Sequence, residues 1–183
     1  MSSVDFLQNF DEQTREHVLQ LCKKLSDTEA DVFILMARKA TCFFDCLKSL
    51  NLVNFSGYVT SERILDMDSS WLKNKKVCIV DDSIISGTTI YRTIKILNSL
   101  EVKEISIQVI ATNLKWFRED LFNEFRQDSK SILKAPYLEL EDEECIRLCK
   151  TIVEAISISP RPYDVDFPYA VNLKLKKRNL NGY

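Results

Sequence analysis

Glycine, proline and histidine are scarce in this chain of 183 residues, with three, four and one respectively. So few glycines and prolines exclude collagen-like and low-complexity disordered classes. No apolar run approaches the roughly 20 residues that span a bilayer, so no membrane segment is expected. Charge of one sign is also missing: 25 basic residues stand against 27 acidic ones. Without a strong positive field, a nucleic-acid partner is not implied. The lone histidine, His17, has no acid or nucleophile near it in sequence and receives no role. The opening residues M-S-S-V-D-F-L-Q lack a basic stretch followed by an apolar core, so no secretory signal is read and cytoplasmic residence is expected.

What is present is a hydrophobic fraction of 45%, enough for one good core at this length. Six cysteines raise the question of metal. Cys42 with Cys46, and Cys145 with Cys149, are each four residues apart and fall on one helix face, whereas zinc knuckles use a two-residue spacer. All four are read as core, as are Cys22 and Cys78.

The periodicities alternate. Asp11 or Thr14 caps an amphipathic helix running to about Ser26, and Asp31 leads into the buried strand Val32 to Ala37. A helix over Thr41–Leu50, a short strand over Gly57–Ser61, a buried strand Val77–Val80, a helix Thr89–Leu100 and a strand Glu104–Ala111 follow. Such alternation predicts an α/β fold with an open, mostly parallel sheet flanked by helices. Helices are expected over Lys115–Arg126 and Asp142–Ile156, with Pro136 breaking the chain between them. Residues 1–157 read as one α/β domain with an N-terminal helix. Residues 158–183 read as a proline- and aromatic-rich arm with Tyr163, Phe167 and Tyr169, then a basic tail with Lys174, Lys176, Lys177 and Arg178. The arm is either a hood over the site or an interface, and the ending at Tyr183 leaves room for a longer protein.

Ligands of open parallel sheets sit beyond the carboxyl ends of strands, where Asp81 and Asp82 follow Val77–Val80. Ser83-Ile84-Ile85-Ser86-Gly87-Thr88-Thr89 then gives a turn rich in hydroxyls opening into a helix. The helix start, with about half a positive charge and unpaired amides, suits a phosphate dianion, and Ser86, Thr88 and Thr89 add hydroxyl donors. Two adjacent carboxylates suit vicinal sugar hydroxyls or a hydrated magnesium ion. A basic pair, Arg38 and Lys39, ends the first strand, and Arg63 follows the second. Cations there would absorb the charge of an anionic leaving group.

The run V-C-I-V-D-D-S-I-I-S-G-T-T resembles the signature of the type I phosphoribosyltransferases. M-A-R-K-A-T is similar to that family's short pyrophosphate loop. The resemblance implies that Ser86, Gly87, Thr88 and Thr89 bind the 5-phosphate of phosphoribosyl pyrophosphate and that Asp81 and Asp82 contact the ribose hydroxyls and, indirectly, magnesium. It implies that Arg38, Lys39 and Arg63 meet the pyrophosphate. Transfer of the phosphoribosyl group to an unidentified acceptor, with release of pyrophosphate, is the implied activity. The sequence departs from the family at Ile85, aliphatic where some purine transferases have an acidic residue, which argues against a purine acceptor. The span from Arg63 to Lys76 is also too short for the long hairpin lid of many members. These departures motivate an alternative, a non-catalytic module sensing phosphoribosyl pyrophosphate or a nucleotide within a complex, in a bacterial defence or stress setting. A homo-oligomer or a partner protein fits either reading.

Overall fold

A computed structural model describes residues 3–36, 39–55, 58–66, 68–113, 120 and 138–157. Two helices open the chain, α1 (Ser3–Gln8) and α2 (Glu12–Asp27). Asp11 caps α2 by accepting the Thr14 amide at 2.8 Å and the Thr14 hydroxyl at 2.9 Å, the exchange that makes aspartate a favoured helix cap. Helix α1 escaped the sequence reading because six residues hold too few turns for a period. It is held instead by Phe6 and Phe10, both buried, whose rings pack edge-on to each other and against Phe43.

Strands β1 (Val32–Leu35), β2 (Tyr58–Thr60), β3 (Lys76–Val80) and β5 (Glu104–Gln108) form a sheet in the order β2-β1-β3-β5, every pairing parallel. Every residue of β1 is buried, as are Val77 to Val80 of β3. The edge strand β5 instead alternates, with Ile105 and Ile107 turned inward. That difference follows from position: central parallel strands are covered on both faces. Helix α3 (Lys39–Ser49) packs on β1, and α2 packs on β5. The fold is therefore α/β, with an open parallel sheet flanked by helices.

Several boundaries differ from expectation. The strand expected over Glu104–Ala111 is two: β5 ends at Gln108, and β6 (Ala111–Asn113) joins a second parallel sheet in the order β4-β6-β7. Strand β4 (Ser83–Ile84) lies inside the hydroxyl-rich run read as a turn, and β7 is Leu138–Leu140. Helix α3 begins at Lys39, so Lys39 is helical and does not belong to a loop. Arg63 likewise lies within helix α4 (Ser61–Asp66). Between Arg63 and Lys76 the described residues hold no strand, only α4 and a 3-10 turn at Ser70–Leu72. Trp71, on that turn, is 49% exposed.

Helix α5 (Thr88–Ser99) follows β4, and α6 (Asp142–Ser157) closes the described chain, packing on α3 and β6. The helix expected over Lys115–Arg126, Pro136 and the arm 158–183 lie outside the described residues. Scarce glycine leaves a mark here. Left-handed backbone is occupied by Asn51 and Glu101 just after α3 and α5, and by Asn74, at φ of 55°, 55° and 61°, a region that costs a side-chain-bearing residue about 1–2 kcal/mol. No helix among the described residues is long and apolar enough to cross a membrane.

Candidate functional site

The carboxyl end of β3 is pinned before its side chains are placed. Met36 N–H donates to Val80 O at 3.0 Å, Asp81 N–H to Gln108 O at 3.2 Å, and Ile110 N–H to Asp82 O at 3.0 Å. The acidic pair is thus stitched between β1 and the corner where β5 passes into β6. Asp81 and Asp82 follow β3 directly, and the two neighbouring carboxyl groups differ in burial.

Asp82 turns inward and is 0% exposed. Its Oδ2 accepts Lys39 Nζ at 2.5 Å and Ser83 Oγ at 3.0 Å. Its Oδ1 is buried with no hydrogen-bond partner among the described residues. The Lys39 side chain, 18% exposed, extends from the first turn of α3 and also donates to Cys149 Sγ at 3.3 Å. Burial by itself would lower the lysine's proton affinity. Asp82 above all, then Cys149 and Asp81, outweigh burial and drive it upward, so Lys39 is an ammonium.

Asp81 is half-buried, and its Oδ1 accepts the Asp82 amide at 2.8 Å. Desolvation, then the neighbouring Asp82 charge, push its carboxyl well above the usual carboxylate range against the opposing pull of Lys39. Two carboxyl groups share one close cation, and Asp81 is the less buried of the two.

Beyond them the chain makes β4 and reaches Gly87, whose φ of 80° and ψ of −4° are left-handed. Glycine reaches this region without a Cβ penalty, and here it turns the chain directly into α5. Ser86 Oγ and Thr88 Oγ1 are 3.1 Å apart, and the Thr88 amide leans on Ser86 Oγ at 3.4 Å. Thr89 is exposed, and the first intrahelical bond runs from Tyr91 N–H to Gly87 O at 2.8 Å. The amides ahead of it are the orphan donors of a helix start. Ser86, Gly87, Thr88 and Thr89 therefore form one hydroxyl-lined turn, as read from sequence.

The structure thus brings Lys39 to Asp82. Arg63 is exposed on α4, with no hydrogen bond or ion pair to the acidic pair among the described residues. Arg38 lies outside the described residues. Sequence reasoning missed Ser83 and Cys149. The four-residue step from Cys145 to Cys149 marked a buried helix face, and both thiols are buried, but nothing local shows that this face meets Ser83. Among the described residues no three His, Cys, Asp or Glu side chains converge as metal ligands.

Residues 51–135 match the model of the phosphoribosyl transferase domain. That span includes β3, the acidic pair, the turn at Gly87, α5 and β5. No match was found among curated proteins. Among solved structures the chain is similar to a hypoxanthine-guanine-xanthine phosphoribosyltransferase at 17% identity, covering 71% of this chain and 75% of that one with a TM-score of 0.48. It is similar to a purine phosphoribosyltransferase from Pyrococcus horikoshii at 21% identity, covering 70% and 82%, TM-score 0.45. A Neisseria gonorrhoeae protein described as hypothetical, solved with ppGpp bound, aligns at 15% identity over 82% and 94%, TM-score 0.47. Over residues 51–135, then, the chain is similar to the phosphoribosyl transferase domain, and the described residues share the α/β fold of its neighbours.

Proposed function

We propose that this protein binds phosphoribosyl pyrophosphate with magnesium and transfers the phosphoribosyl group to an acceptor, releasing pyrophosphate. The observation that carries this reading is the arrangement along one stretch of chain: a half-buried carboxyl group, Asp81, follows β3, and a left-handed glycine turn opens α5. In this reading the 5-phosphate sits on the amides and hydroxyls of Ser86, Gly87, Thr88 and Thr89. Asp81 accepts hydrogen bonds from the ribose hydroxyls. Asp82, buried and neutralised, holds Lys39 and the strand end in place.

Magnesium keeps most of its water, so it needs a carboxylate that water can reach. Asp81, half-buried, is the more accessible of the pair. Asp82, wholly buried and engaged by Lys39 and Ser83, does not meet that need. The ion would neutralise the pyrophosphate as the bond to the anomeric carbon breaks and the acceptor bonds that carbon, the electron pair leaving with pyrophosphate. Lys39 and Arg63, with Arg38, are the chain's cations for the same anion. Lys39 reaches it only through the 18% of its side chain that is exposed.

A second reading, a module that senses the same sugar phosphate or a nucleotide without transfer, is favoured by one observation. The Lys39 ammonium is taken up by Asp82 and Cys149 and is not free for a leaving group. Assay of pyrophosphate release against a panel of bases, alongside calorimetric titration, separates the two: release that depends on a base supports the transferase, and saturable binding without release supports the sensor. The soluble setting expected from sequence, cytoplasmic with a second copy or a partner chain, belongs to this proposal.

A further inference from the structure

We propose that Cys149, carried by α6, is a positioning residue that holds the Lys39 ammonium against Asp82. Four side chains from three separate segments close a ring. Lys39 Nζ donates to Asp82 Oδ2 at 2.5 Å and to Cys149 Sγ at 3.3 Å, Ser83 Oγ donates to Asp82 Oδ2 at 3.0 Å, and Cys149 Sγ lies 3.2 Å from Ser83 Oγ.

The proton count gives the ring one direction. A serine hydroxyl has a single hydrogen, and that of Ser83 goes to the carboxylate. The contact between Ser83 and Cys149 must then use the thiol hydrogen, with sulfur donating to the hydroxyl oxygen. The remaining sulfur lone pairs face Lys39, which has only hydrogens to give. With its hydrogen directed to Ser83, the side chain completes the ring as both acceptor and donor, a role that an aliphatic side chain cannot fill.

Burial makes this matter. Asp82 is 0% and Cys149 1% exposed, so water is poorly placed to replace a lost partner, and an unpaired buried polar group is costly. The contact spans 110 positions in sequence, and it ties the helix closing the described chain to the acidic pair of the proposed sugar site. The consequence for ligand binding rests on the function proposed above, whereas the positioning of the ammonium does not.

The experiment is nitrogen-15 NMR of the lysine ammonium groups in the full chain, with the Lys39 signal assigned by its loss in Lys39→Met. The wild type is expected to give a slowly exchanging Lys39 signal. Cys149→Val, which is apolar and slightly larger and loses donor and acceptor, should shift that signal and speed its exchange with water. Cys149→Ser, which keeps both, should retain it, and Cys149→Ala makes the same comparison as valine if the larger side chain does not fit. Absence of a slowly exchanging Lys39 signal in the wild type, or an unchanged signal in both the valine and alanine variants, overturns the proposal. In parallel, apparent affinity for magnesium phosphoribosyl pyrophosphate should fall roughly tenfold in Cys149→Val, the effect of one charge-assisted hydrogen bond, and should not fall further when Cys149→Val is added to Lys39→Met. If the wild type binds none of this ligand, the proposed function fails while the ammonium signal still decides the positioning.

Discussion

Lys39 Nζ lies 2.5 Å from Asp82 Oδ2, joining the first turn of α3 to the end of β3 inside the protein. Breaking a buried pair from one side leaves an uncompensated charge. Lys39→Met is therefore expected to lower unfolding free energy by about 3 kcal/mol, read from urea denaturation. Adding Asp82→Asn should recover part of that loss. A double variant as unstable as the simple sum of the two single changes would show that the pair is not coupled.

Asp81 gives stability a pH dependence of definite sign. Its folded carboxyl is held well above the ordinary value of 3.8 by burial and by Asp82, so the native state binds a proton that the unfolded chain has released. Its contribution is complete below pH 3.8 and is lost as pH rises through the raised native value. Lys39, also raised, contributes fully below its ordinary 10.5 and loses that only in strong alkali. Asp81→Asn should remove the acid-side decline and be more stable than wild type at neutral pH by about 0.5–2 kcal/mol. Denaturation midpoints of both proteins across the acid and neutral range check this.

Much of the fold around this site was legible in the sequence. The apolar runs Val32–Ala37 and Val77–Val80 pointed to central strands because burial on both faces leaves no alternation to misread, and β1 ends at Leu35. Asp11 capped its helix because capping is local chemistry. Gly87 stood where a tight turn meets a helix start. The remainder was hidden for one physical reason, the distance along the chain between partners. Lys39 looked like a loop cation, since nothing near Met36-Ala37-Arg38 reveals a carboxylate 43 positions away. Cys149 looked like core packing, since its partners Lys39 and Ser83 are 110 and 66 positions distant. Strand β4 was missed because two residues carry no period.

Gly87→Ala tests the turn that opens α5. A Cβ at φ of 80° costs about 1–2 kcal/mol, and the same methyl would intrude where a phosphate approaches the backbone. The variant should show that stability loss in thermal unfolding and at least tenfold weaker ligand binding by calorimetry. Glu101→Gly, which relieves the same backbone region at φ of 55° away from the site, should be neutral or stabilising and leave binding unchanged.

Four of the thiols should be inert in the native protein. Burial pushes Cys22 up to about 12, and Cys42, Cys78 and Cys145 up to about 11, so little thiolate is present at neutral pH. Alkylation by iodoacetamide, followed by peptide mass spectrometry, should be slow in the folded chain, with the half-buried Cys42 reacting first and faster as pH rises. All six cysteines should react promptly in urea. Prompt native labelling of Cys22 or Cys78 would contradict the packing described above.

The central claim is that the carboxylate of Asp81 and the turn at Gly87 hold phosphoribosyl pyrophosphate. Calorimetric titration of wild type and Asp81→Asn with this ligand in the presence of magnesium tests it most directly. Saturable binding by the wild type that weakens at least tenfold in the folded variant is the predicted result. No binding by the wild type, or equal binding by both proteins, would contradict it.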